Sequence, residues 1–261
     1  MMKNKILKRI ISVFMVVFVL AFSTPSVSYA EYPTPTLEGD YKSIKRVLID
    51  NIPASVYIEV EEYMGSGFII ECTDLYVYIM TNRHVTLLAP KNIKVKFYEG
   101  TKAEAKLWYE STAMDAAVVR VEKKNIPASV LNRLQYVLFS EEESDVGDRV
   151  GIIARHPDST LFTSEGVIDR FEYECYFTDG MPEEGTLATY PCQAGTSGSA
   201  VFNDAGYVVG LHKGRTYDGY SFYIEGSKVK KDYNQIRNRT KQMKTLIYRK
   251  LAELLNHRRY T

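Results

Sequence analysis

Cysteine is scarce in this 261-residue chain: Cys72, Cys175 and Cys192 are the only three. That number excludes a disulfide scaffold and leaves at least one thiol unpaired within a monomer, so stability must come mainly from a buried core. Histidine is scarce too, with four residues, and no pair of His or Cys has zinc-ligand spacing, so no metal site is expected. Neither sign of charge is in excess, with 33 Lys and Arg against 32 Asp and Glu. The total therefore carries no electrostatic footprint of a nucleic-acid partner. There is no internal repeat and no low-complexity segment, which excludes solenoids and tandem arrays. No apolar run reaches the roughly 20 residues that a membrane-spanning helix needs.

The longest such run, from Ile10 to Phe22, follows Lys3, Lys5, Lys8 and Arg9, and Ser28-Tyr29-Ala30 supplies small residues where a signal peptidase reads. Residues 1–30 are accordingly expected to be a signal peptide, with Glu31 as the mature N-terminus. Secretion follows, to the medium or the cell envelope, with no stable membrane insertion after cleavage. The same basic flank would also suit an uncleaved signal anchor. Residues 31–50 are polar, with Pro33 and Pro35, and are expected to form an extended arm or a short propeptide outside the core.

From Ala54 the pattern changes to short β-branched and aromatic runs at 55–60, 68–71, 76–81, 93–98, 103–109 and 116–121, which predict a small barrel over about 51–122. Residues 123–147 interrupt it with a helix-compatible stretch at 129–136 and the acidic Glu141-Glu142-Glu143. Strand-like runs resume at 149–154, 166–171, 172–177, 187–190, 200–202, 207–211 and 220–224, predicting a second barrel over about 147–226. Over 233–257 no Gly or Pro intervenes, and Ile236, Thr240, Met243, Ile247, Leu251 and Leu254 recur at helical spacing. A C-terminal helix is expected there, its apolar face on the second barrel and its basic face in solvent. The fold class is all-β with that one appended helix, and the segment after Ile224 is too short for an added PDZ domain.

Three motifs carry chemistry. Gly195-Thr196-Ser197-Gly198-Ser199-Ala200 places a serine between glycines just before an apolar strand. Backbone N–H groups of Gly195 and Ser197 there could form an oxyanion hole. Thr81-Asn82-Arg83-His84-Val85 puts a histidine at the end of a strand, where a side chain of ordinary pKa near 6.5 could act as general base. Asp115-Ala116-Ala117-Val118-Val119 sets a carboxylate at the start of an apolar strand, where it could orient an imidazole. His156, before Pro157, and His257 lack such a setting, as do Asp74 and Asp145.

In this order, and with Gly65-Ser66-Gly67-Phe68, Gly147-Asp148-Arg149-Val150 and Val208-Val209-Gly210-Leu211-His212, the chain resembles bacterial chymotrypsin-like serine peptidases, close to glutamyl endopeptidases and HtrA-type protease domains. The resemblance implies two six-stranded antiparallel β-barrels with His84, Asp115 and Ser197 at their interface. It implies peptide-bond hydrolysis through an acyl-enzyme, a protein or peptide substrate, and no cofactor. Thr196 stands where animal digestive relatives carry an aspartate, so activation by a new N-terminal ion pair is not expected. Glutamyl endopeptidases bind a substrate carboxylate with a histidine matching His212, so Cys192, His212, Lys213 and Gly214 are the expected substrate-binding residues, with acidic side chains as a possible preference. Cys192 replaces the hydroxyl residue those enzymes use. A catalytically inactive binding module and a protease latent until its N-terminus is trimmed remain open alternatives, and the oligomeric state is not specified.

Overall fold

The computed structural model describes residues 43–257 apart from 62, 88, 157, 159 and 178–181. The expected signal peptide, and the arm before Ser43, lie outside these residues.

Six strands form the first barrel: β1 (Ser55–Val60), β2 (Tyr63–Cys72), β3 (Tyr76–Thr81), β4 (Ile93–Lys96), β5 (Lys102–Glu110) and β6 (Ala117–Glu122). They close in the order β1-β2-β3-β6-β5-β4, and each neighbouring pair is antiparallel. The second barrel comprises β7 (Arg149–Arg155), β8 (Leu161–Tyr176), β9 (Pro182–Ala188), β10 (Ala200–Asn203), β11 (Val208–Arg215) and β12 (Ser221–Glu225), closed as β10-β11-β12-β9-β8-β7. This is the chymotrypsin-like double barrel.

Strand periodicity explains how the barrels join. Successive side chains point to opposite faces, so Ile79, Val119 and Ile152 fill barrel interiors while their neighbours Met80, Val118 and Ile153 belong to a third cluster, shared between barrels. Phe68, Ala200, Leu211 and Phe222 complete that cluster. Strands apolar on both faces therefore mark the interface.

Several expectations need correction. Residues 31–50 are not an arm throughout: Ile44–Asp50 is a helix, α1, capped by Ser43, whose side chain accepts from the Arg46 amide. Ile44, Val47 and Leu48 are buried in the inter-barrel cluster, because their i, i+3, i+4 spacing gives one apolar face. The two runs at 166–171 and 172–177 are one 16-residue strand. Its register shifts between Ile168 and Arg170 and between Arg170 and Tyr173, and Glu172 takes φ 53°; these bulges interrupt the alternation that a sequence reading relies on. The short helices at Arg83–Thr86 and Ala128–Leu131 are α2 and α3, the latter in place of the stretch expected at 129–136.

The C-terminal helix α4 (Gly226–His257) begins seven residues before its expected start, directly after β12. Val229 and Tyr233 are its buried anchors. It reaches beyond the second barrel: the Tyr233 hydroxyl donates to Glu71 Oε2 at 2.9 Å, Arg237 pairs with the same carboxylate, and Tyr109 on β5 bonds Asp232. Met243, expected on the packed face, is exposed. Among the described residues no helix is long and apolar enough to cross a membrane.

Candidate active site

β3 ends at Thr81, and the chain turns through Asn82 into α2, which presents His84. Asp115 precedes β6 and is 2 % exposed. The Asn82 side-chain amide donates to the Asp115 carbonyl at 2.9 Å, tying the two turns together. Asp115 Oδ1 accepts the His84 backbone N–H at 2.8 Å, and Oδ2 lies 2.6 Å from His84 Nδ1. A carboxylate only accepts, so Nδ1 carries the proton of this contact, and in the neutral imidazole Nε2 then has a free lone pair. Burial pushes the Asp115 carboxyl up, but the hydrogen bond and charge of His84, the Lys213 ammonium and the His84 amide together hold it below the ordinary value.

Ser197 sits between two turns closed by Thr196 N–H to Gln193 O and by Ser199 N–H to Thr196 O, both at 3.1 Å. Gly195 and Gly198 occupy the third positions with φ 88° and 89°, the left-handed backbone of a type II turn. Gly198 is also fixed by space: a Cβ would stand 2.1 Å from the Ser66 carbonyl oxygen. Among the described residues the N–H groups of Gly195 and Ser197 find no protein acceptor. A Cβ on Gly65 would meet Val85 at 2.7 Å and the Ser197 carbonyl at 3.0 Å, so the neighbour of His84 and the serine turn flank one glycine. The Ser197 hydroxyl donates to the Lys213 carbonyl at 2.8 Å. Having one proton, it does not at the same time donate to an imidazole.

Ser66, quoted above only as part of a matching run, holds this turn from the first barrel. Its N–H donates to Ser197 O at 2.8 Å, its hydroxyl to Gly195 O at 2.9 Å, and the same hydroxyl accepts from the Arg155 N–H at 3.1 Å. A small hydroxyl residue between two close-packed glycines was the available signal.

The expected substrate-binding residues fare differently. His212 is wholly buried, Nδ1 3.1 Å from the Tyr190 hydroxyl and Nε2 3.1 Å from Thr196 Oγ1. Burial, with the nearby charge of His84, pulls its pKa down to about 3, so it is neutral and offers a carboxylate no charge. Lys213 is 3 % exposed, its ammonium 2.6 Å from Glu183 Oε2 and 3.5 Å from Asp115 Oδ2, with the Phe177 ring centre at 4.5 Å. Its side chain faces the core, contrary to the expected role toward a substrate carboxylate. Gly214 lies at a register shift of β11. Cys192 is half-buried, and burial raises its thiol against the opposing Ser221 hydrogen bond and Arg215 charge. All three cysteines are free. Glu183 was missed by sequence reading; a lysine inside an apolar strand, needing a buried partner, was its only sign.

Several known proteins are similar to this chain. A probable periplasmic serine endoprotease DegP-like from Halomonas elongata is 27% identical over 190 residues, 71% of this chain and 37% of the relative. The serine protease Do-like HtrA of Bacillus subtilis is 24% identical over 180 residues, 66% of this chain and 39% of its own. The chain thus spans under half the length of these relatives. Among solved structures, an inactive form of Rv3671c from M. tuberculosis H37Rv superposes with TM-score 0.60 at 18% identity, covering 74% of this chain and 90% of that one. Deg5 does so with TM-score 0.59 at 21% identity, covering 72% and 90%; at such identity these likenesses speak for the double barrel alone. The family described as the trypsin-like peptidase domain matches residues 65–211, which run from the glycine beneath the serine turn to the strand that carries His212, and the chain belongs to that family.

Proposed function

We propose that this chain is a serine endopeptidase in which His84 is the general base, Asp115 its orienting partner and Ser197 the nucleophile. The observation that carries the reading is the 2.6 Å contact from His84 Nδ1 to Asp115, which leaves Nε2 of the neutral imidazole as the proton acceptor, while the serine turn offers two uncommitted amides. Rotation of the Ser197 hydroxyl off the Lys213 carbonyl lets Nε2 take its proton as oxygen attacks the scissile carbonyl. The developing oxyanion is met by the Gly195 and Ser197 N–H groups, and loss of one such donor typically costs about 3 kcal/mol of transition-state stabilisation. The imidazolium then protonates the leaving amine, and water hydrolyses the acyl-enzyme by the same steps reversed.

Substrates in this reading are proteins or peptides. The acidic preference loses its support, because one expected cation is neutral and the other already paired. Export is proposed from the N-terminal pattern, in keeping with the word periplasmic in a relative's description. The second reading, a protease-fold binding module, draws on the resting hydroxyl's commitment to Lys213 O. Incubation of wild type and Ser197→Ala with a mixed peptide library, cleavage sites mapped by mass spectrometry, tests both. Cuts present only with wild type support the peptidase. Cuts that persist in Ser197→Ala would sink the nucleophile assignment, and no cuts together with no labelling by a fluorophosphonate would favour the binding module.

A further inference from the structure

Behind Asp115 lies a pair of buried, oppositely charged side chains, Lys213 and Glu183. Burying a lysine is costly unless it is paired, yet the Lys213 ammonium is enclosed between Glu183 Oε2 at 2.6 Å, Asp115 Oδ2 at 3.5 Å and the Phe177 ring. Glu183 is 7 % exposed and uses its other oxygen, Oε1, to accept the Asp115 backbone N–H at 2.6 Å. Asp115 is therefore gripped twice, by Glu183 at its main chain and by Lys213 at its carboxylate. Asp115 Oδ2 is in turn shared between Lys213 and His84 Nδ1.

We infer that Lys213 and Glu183 are positioning residues of the active site: a buried ion pair that orients Asp115 and fixes the charge that His84 faces. The inference rests on the peptidase reading above. The two carboxylates and the ammonium of these three residues contribute one net negative charge, which the imidazolium formed during acyl transfer opposes. Without Lys213 the cluster carries two negative charges and binds a proton more readily; without Glu183 it carries none and binds one less readily. Among the described residues, titratable groups around the pair include His84 on α2 and the Cys175 thiol on β8, which also lies in the field of Asp218 and which burial keeps protonated. His212, on the same strand as Lys213, is neutral.

The test is the pH profile of kcat/KM for wild type, Lys213→Met, Glu183→Gln and the double variant, on a peptide cleaved by wild type, with fluorophosphonate labelling as a count of active sites. Lys213→Met is expected to move the acidic limb up by about one pH unit and Glu183→Gln to move it down by a similar amount. The double variant, which restores the net charge, should return close to wild type. A merely structural role would lower the labelled fraction or the melting temperature and leave the limb in place. Limbs unmoved in both single variants, with wild type active, overturn the inference. Should Lys213→Met fail to fold, Glu183→Gln and the double variant decide it by the same criterion. Wild type that neither labels nor cleaves overturns the peptidase reading first, and this inference with it.

Discussion

His212 ties the site to the stability of the fold. Its pKa falls from the ordinary 6.5 to about 3 in the folded chain, so between those values the unfolded state binds a proton that the folded state refuses. Stability then rises with pH across that window and is lost as pH falls from about 6.5 toward 3, by roughly 1 kcal/mol per pH unit. His212→Gln should flatten this part of the profile in thermal unfolding measured from pH 7 to pH 4; an unchanged slope would show that other groups set it. Asp115 contributes with the same sign at lower pH. Its carboxyl is held below the ordinary value, so its share of stability is present above about pH 4 and lost below. Asp115→Asn turns an acceptor into a donor beside Nδ1 and favours the wrong imidazole tautomer. A drop in kcat of about 10⁴ is expected, with fluorophosphonate labelling slowed in parallel; kcat within tenfold of wild type would remove Asp115 from the mechanism.

At the scale of elements, the serine turn depends on the β2 strand beneath it. Ser66→Ala removes a hydroxyl that bonds both Gly195 O and Arg155 N–H and leaves those groups unpaired, at about 1–3 kcal/mol. Where 1.4 kcal/mol of that appears in the placement of the oxyanion donors, kcat falls about tenfold. Steady-state kinetics beside a melting curve separates the two effects, and a variant with wild-type values in both would show the contact to be idle. This dependence was only half legible in the sequence. Strands such as 76–81 could be read because a run of β-branched and aromatic residues is written locally in the sequence. The serine turn could be read because glycines at positive φ leave a mark in composition. Ser66 could not be assigned a role, because its partners lie 89 and 129 residues away and no local pattern encodes them. For the same reason His212 and Lys213 looked like cations available to substrate: burial and pairing are tertiary facts.

For the whole molecule, α1 decides where any N-terminal processing could fall. A cut after residue 50 would remove a helix whose Ile44, Val47 and Leu48 are 1–3% exposed and which fills the cluster shared by both barrels. Leu48 and Ile44 lie against Gly151 of β7, and β7 leads to Arg155, whose amide holds the Ser66 hydroxyl. Loss of α1 should therefore weaken the serine turn as well as the fold. Two truncated chains separate the cases. One beginning at Ser43 keeps the helix with its cap, and should unfold cooperatively at the higher temperature and label with a fluorophosphonate. One beginning at Asn51 should melt lower and label poorly. Equal labelling of both would show that α1 does not support the site; stronger labelling of the shorter chain would make α1 part of an inhibitory propeptide, the one result that returns residues up to 50 to the role their polar sequence first suggested.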